Sequence, residues 1–173
     1  MLILETERLK LREMDSVRDA EFIFELLNSP GFIKYIGKRN VHSAEEAGNF
    51  IDTRYRQSYR DHGYGLYTVE LKESGNAVGI CGFVRRDTLP GPDIGFAFLP
   101  DHEGKGYGFE SGSAMMRYGR EKLGFDEVFA ITSLHNTASI KLLGKLGFLL
   151  LRVIDNPEGE RLNLFRNIIT PKG

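Results

Sequence analysis

The chain has a single cysteine, Cys81, among its 173 residues. One thiol makes no intramolecular disulfide and no cysteine-rich zinc site, so neither kind of staple supports the fold. Long apolar runs are also missing. The longest, such as Ile94–Pro100, fall far short of the roughly 20 residues that cross a bilayer, which argues against a transmembrane helix and a membrane partner. Surplus charge is lacking as well: 23 Lys and Arg against 24 Asp and Glu leave a net charge of −1, too little to gather nucleic acid or an anionic membrane by a global field. Any anion must therefore be held locally. His42, His62, His102 and His135 show no ligand spacing such as His-Glu-x-x-His, so no metal is expected. At the start, Met1 to Leu4 meets Glu5 at once, without the basic flank and apolar stretch of a signal peptide, and the expected address is the cytoplasm.

What is present is the composition of an ordinary globular chain. At 41% hydrophobic and 27% charged residues it can bury a core, and its length suits one domain, residues 1–173. Two-residue alternation predicts strands at Arg8–Glu13, Leu66–Leu71, Val78–Val84 and Asp93–Leu99, with shorter ones at Val128–Ile131, Phe148–Ile154 and Leu162–Phe165. Helical spacing follows two cap-like starts. One runs from Ser16 to Asp19 and leads to Leu27; the other begins at Ser43 and ends at Gly63. Later helices are expected over Phe109–Leu123 and Asn136–Leu146, each stopped by a glycine. Alternation of these elements means an α/β domain with a mixed sheet.

Residues 103 to 108 read Glu103, Gly104, Lys105, Gly106, Tyr107, Gly108, directly after a strand and directly before a helix. Glycines let a turn point its N–H groups inward without obstruction, and the following helix adds unpaired N–H groups and a positive dipole end, an arrangement suited to phosphate. The Gly-x-Gly-x-x-Gly fingerprint fails here, because position 109 is Phe and position 111 is Ser; the Walker pattern fails for want of Gly-Lys-Ser/Thr. A dinucleotide-dependent oxidoreductase is therefore poorly supported. The segment resembles instead the acyl-CoA loop of the GCN5-related N-acetyltransferases (GNAT), Gln/Arg-x-x-Gly-x-Gly/Ala, with Glu103 departing from the usual first residue. Asn136 and Ser139, followed by Gly147 and Phe148, resemble that superfamily's second cofactor segment. Leu9 to Arg12, Asp93 to Phe96 and Gly106 to Gly108 are most similar to its ribosomal-protein N-terminal acetyltransferase (RimJ/RimL-type) branch, over about residues 3 to 169.

The resemblance implies a single-domain GNAT-like fold: a mixed central sheet of about six to seven strands, flanked by about four helices, with a splayed central strand pair. It implies acetyl-CoA as cosubstrate, no metal, and direct transfer to an amine acceptor, either a protein N-terminus or a small molecule, by a monomer or homodimer. Glu103, Gly104, Lys105, Gly106, Tyr107 and Gly108 would form the pyrophosphate loop. A bulge would free backbone N–H groups near Phe98 and Leu99 for the acyl carbonyl, Asn136 would bind pantetheine amides or water, and Ser139 would orient the cofactor or protonate the leaving thiolate. Asp93 stands where related enzymes carry a catalytic Glu, and its shorter side chain points to a bridging water. From residue chemistry alone, Asp93 reads equally well as a strand-edge acid after Pro90 to Pro92, and Asn136 with Ser139 as a plain helix cap. Cys81 reads as a core residue rather than an acyl nucleophile, His102 as a solvent-facing loop histidine, and the basic and aromatic run from Arg54 to Arg60 as an amphipathic helix face. The rival to catalysis is a non-catalytic acyl-CoA-binding or regulatory domain.

Overall fold

The computed structural model describes residues 1–168, so residues 169–173 of the expected 1–173 domain, and the last residue of the resemblance, lie outside the described residues. Among the described residues, eight strands form one sheet: β1 (Leu2–Glu5), β2 (Leu9–Arg12), β3 (Leu66–Leu71), β4 (Ala77–Val84), β5 (Asp93–Phe98), β6 (Glu127–Ser133), β7 (Leu149–Asp155) and β8 (Arg161–Ile168). Their order is β1-β2-β3-β4-β5-β6-β8-β7, antiparallel throughout except between β5 and β6. That parallel step needs a crossover, which the intervening helix supplies. The strand beyond the expected six to seven is β1, a four-residue edge piece whose Leu-Ile-Leu-Glu sequence and exposed, half-buried, half-buried, exposed pattern carry no alternation.

Helices cover both faces. On one side lie α1 (Ala20–Leu27), α2 (Pro30–Tyr35) and α3 (Ala44–Phe50); on the other lie α5 (Tyr107–Glu121) and α6 (Thr137–Lys145), and α4 (Arg56–His62) turns its Tyr59 towards this second side. A single π turn, Ile51–Tyr55, joins α3 and α4 into one rod, giving five helices. The wider turn keeps Ile51 and Tyr55, four residues apart, both buried on the α1 side, while Tyr59 reaches the other cluster and stacks against Tyr67. Ser43 caps this rod as expected, accepting from the Glu46 N–H. The cap expected at Ser16 to Asp19 is different: α1 starts at Ala20 and Asp19 makes no side-chain cap bond. Its carboxylate is bound instead by Arg12 through two 2.8 Å bonds and by the Asp15 N–H, and Arg12 Nε reaches Glu70. This ion network ties α1 to β2 and β3, and a charge so enclosed persists because every partner is present. The missed helix α2 begins at Pro30, a residue that suits a first helical position.

The core is split by the sheet. One cluster packs Leu9, Tyr67, Cys81, Phe83, Ile94 and Val128 against Met115 of α5 and Leu143 of α6. The other packs Ile80 and Leu99 against Ile23, Leu26 and Ile51 of the opposite layer. Alternation along β5 therefore sends Ile94, Phe96 and Phe98 towards α5, and Asp93, Gly95 and Ala97 towards α1 and α3.

Candidate active site

The sheet opens at its middle. β4 and β5 stay in register from Val84/Asp93 to Gly79/Phe98, whereas β5 and β6 share a single pair, Asp93 with Phe129, closed by the Phe129 N–H donating to the Pro92 carbonyl at 2.9 Å. Beyond that pair the two strands diverge, so the expected splay is present and its open end faces the turn that leads into α5. No bulge in β5 creates it, since the β4 ladder is unbroken. The Leu99 N–H donates to the Val78 carbonyl at 2.9 Å, which removes it from the expected pair of carbonyl donors. Because amides alternate along a strand, those of Phe96 and Phe98 then point towards β6.

The turn is built by two left-handed glycines, Gly104 at φ +72° and Gly106 at φ +84°, the second being the N-cap of α5. Only glycine adopts this backbone without strain. Gly108 serves packing rather than the turn: a β-carbon there would stand 2.8 Å from Leu142, and one at Gly112 2.9 Å from Leu146, so α5 lies closely along α6. The Phe98 ring fills the space beside Gly79 and Gly108. Glu103 is exposed, and its carboxylate lies over the first turn of α2, where a β-carbon on Gly31 would stand 3.8 Å from Oε1. Lys105 is exposed and Tyr107 half-buried.

Asn136 is the N-cap of α6, its Oδ1 accepting from the Ser139 N–H at 3.2 Å, which makes the capping interpretation structurally correct for Asn136. Ser139 is half-buried in the first turn of that helix. Asp93 is fully buried at the closed end of the splay, with Arg86 Nε at 3.1 Å from Oδ1. Burial outweighs the guanidinium and pushes this carboxyl up to about 6. Asp93 and Phe98 are separated by about 17 Å of extended strand, beyond direct contact. Cys81 is buried in β4, and burial pushes its thiol up to about 12, which leaves no thiolate for covalent transfer. Basic residues of the Arg54–Arg60 run are tied into the fold, Arg56 donating to the Met14 carbonyl and Arg60 to Gln57.

Three features were absent from the sequence-based expectations. His102 is half-buried rather than solvent-facing, its Nδ1 shielded from water with no partner among the described residues. Ser133, the last residue of β6, has a buried hydroxyl with no partner among them either. Counting from the Asp93–Phe129 pair sets Ser133 level with Ala97 across the opening. Buried polar atoms left unsatisfied are uncommon, and a hydroxyl at the mouth of a gap fits an incoming amide or carbonyl. Third, Arg8 and Glu110 meet at the glycine turn, with Arg8 Nε 2.7 Å from Glu110 Oε1. Asp93 alone of the expected residues sits at the closed end; Phe98 and the glycine turn lie at the open end.

Residues 8–149 match the model of the acetyltransferase (GNAT) domain. The uncharacterized N-acetyltransferase YoaA of Bacillus subtilis (strain 168) is 31% identical over 147 residues, covering 84% of this chain and 82% of its own. Among solved structures, a ribosomal-protein-alanine acetyltransferase from Vibrio fischeri superposes with a TM-score of 0.79 at 18% identity, covering 97% of this chain and 96% of that one. RimL, a ribosomal-protein α-N-acetyltransferase solved with coenzyme A, superposes with a TM-score of 0.73 at 17% identity, covering 98% of each chain. A parallel pair that parts over a glycine turn, on a chain so matched, leaves one assignment: the protein belongs to the GNAT family and is an acetyltransferase.

Proposed function

We propose that this acetyltransferase uses acetyl-CoA and passes the acetyl group directly to a primary amine, a protein N-terminus or a small molecule, within a ternary complex. The observation that carries the reading is the row of β5 amides turned towards the opening, ending in a turn of two left-handed glycines at the start of α5. Amides of Gly104 to Gly108 suit the cofactor's diphosphate, and the opening suits an extended arm carrying amides. Acetyl-CoA supplies the activated acyl carbon. The Phe98 N–H is the donor available to the thioester carbonyl, Leu99 being engaged by Val78.

The acceptor approaches along the face of β5 that bears Asp93, Gly95 and Ala97. Its nitrogen lone pair forms the new bond to the acyl carbon as the carbon–sulfur bond breaks. Asp93 takes the amine's proton through a chain of several waters along the opened strand, and the Ser139 hydroxyl returns one to the departing sulfur. A buried, neutral Cys81 supports transfer without an acyl-enzyme. Thiol release from acetyl-CoA with a panel of amines and amino-terminal peptides, alongside calorimetry with CoA and NAD, tests the proposal. CoA binding with acceptor-dependent thiol release is expected. CoA binding with no release under any acceptor would make the chain a binding module, and no CoA binding would overturn the cofactor.

A further inference from the structure

One guanidinium touches three successive residues of the glycine turn. Arg8, between β1 and β2, donates from Nη1 to the Lys105 carbonyl at 3.0 Å. Its Nη2 lies 3.2 Å from where a β-carbon on Gly106 would stand, and its plane covers the Tyr107 ring at 4.6 Å from the centroid. Glu110, in the first turn of α5, holds this arginine in place. Its Oε1 accepts from Arg8 Nε at 2.7 Å; its Oε2 accepts from the Arg8 N–H at 2.9 Å and from the Thr6 hydroxyl. Burial alone would push the Glu110 carboxyl up, but those bonds outweigh it and keep it below its ordinary range, so the residue is an anion at neutral pH.

Two physical consequences follow. Peptide planes have opposite ends, so a Lys105 carbonyl drawn towards Arg8 turns the Gly106 N–H the other way, towards the ligand side of the turn. A carboxylate one turn into α5 would repel an approaching phosphate, and Arg8 cancels that charge at contact distance. We propose that Arg8 is a positioning residue for the diphosphate of the acyl-CoA cosubstrate, fixing the direction of the loop amides and neutralising Glu110. The proposal rests on the reading that this turn receives CoA, and it gives the loop a positive partner although its first residue is the acid Glu103.

The test compares wild type, Arg8→Ala, Arg8→Lys, Glu110→Gln and the double variant Arg8→Ala/Glu110→Gln. CoA binding is read by calorimetry, and turnover is read with acetyl-CoA and with S-acetylpantetheine, a donor without the diphosphate. Arg8→Ala is expected to weaken CoA and raise the acetyl-CoA KM by roughly ten- to hundredfold, the scale of lost charge-assisted bonds, with kcat at saturation within about twofold. The penalty is confined to the donor that carries phosphate. Arg8→Lys keeps the charge but not the fork and loses roughly tenfold. Glu110→Gln alone tightens CoA by about two- to fivefold, and added to Arg8→Ala it recovers part of the loss. Should Arg8→Ala not fold, the lysine and glutamine variants decide. Equal CoA affinity in the folded Arg8 variants, or equal penalties on both donors, overturns the proposal, because a merely structural tie would not distinguish them. Failure of wild type to bind CoA would overturn the proposed function instead.

Discussion

At the scale of single residues, Asp93 as the proposed base would couple reactivity to stability in opposite directions. Burial pushes its carboxyl up to about 6, so the ionised form needed by a base accumulates as pH rises through that value. kcat/KM should climb across this region and level off above it. If Asp93 is the base reached through water, Asp93→Asn should lose the limb and fall by about 10²-fold. For stability, the folded-state value lies above the unfolded one. The contribution is therefore complete below about pH 4 and is lost as pH rises through about 6, a difference on the order of 3 kcal/mol. Denaturant midpoints of wild type and Asp93→Asn should diverge between those pH values, the variant gaining; parallel midpoints and an unchanged rate profile would remove Asp93 from the mechanism. If Ser139 protonates the thiolate as proposed, Ser139→Ala should lower kcat by about 10²-fold while changing the acetyl-CoA KM little. Equal rates when chemistry is limiting would exclude it. Gly104 and Gly106 were legible because only glycine meets their backbone requirement. Arg8, Glu110 and Ser133 were not, because their significance comes from contacts or lost contacts that no local spacing encodes.

At the scale of elements, Gly108 and Gly112 of α5 leave room for the Leu142 and Leu146 side chains to seat against its backbone. Gly108→Val places branched carbons where Leu142 already stands, 2.8 Å from the first of them. It should cost about 1–3 kcal/mol by overpacking, read as a lower denaturant midpoint, and it should disturb the turn next to it. A variant as stable as wild type would show that α6 moves aside freely. Regular elements were read well where a period had room to repeat: β3 was bounded correctly from its alternation, and the long rod from Ala44 to His62 from its apolar face. β1, Leu-Ile-Leu-Glu, has no polar–apolar alternation to read, and α2, with six residues, ends before a helical period repeats. The Ser16 to Asp19 start misled because Asp19 had a stronger partner in Arg12, on a strand, than in the helix amides beside it.

At the scale of the molecule, the sheet is two ladders, β1 to β5 and β6 to β7, joined by one strand pair. A ligand contacting both sides of the opening and the α5 turn should bind only the folded chain. At a free CoA concentration about 100 times its Kd the gain is about 2.7 kcal/mol, which for this size corresponds to a Tm increase of roughly 5–10 °C. Thermal melts with CoA and with NAD check this, and a melting point that CoA leaves unmoved would deny the opening a role in binding. A mixed sheet with a splayed central pair was implied by resemblance, and the strand, loop, helix, strand unit was read from the sequence; the order of the eight strands came only with the structure. Width of the opening was not, because it depends on where a ladder stops.

The clasp between Arg8 and Glu110 joins residues 102 positions apart. During synthesis at about 5–20 residues per second, the first hairpin leaves the ribosome roughly 5–20 s before the carboxylate that anchors it. Nascent protein thus has its opening strands long before they have anything to brace, and the proposed anion site could be complete only after mid-chain translation. A fragment beginning past Arg12 would keep every glycine of the turn and lose its brace.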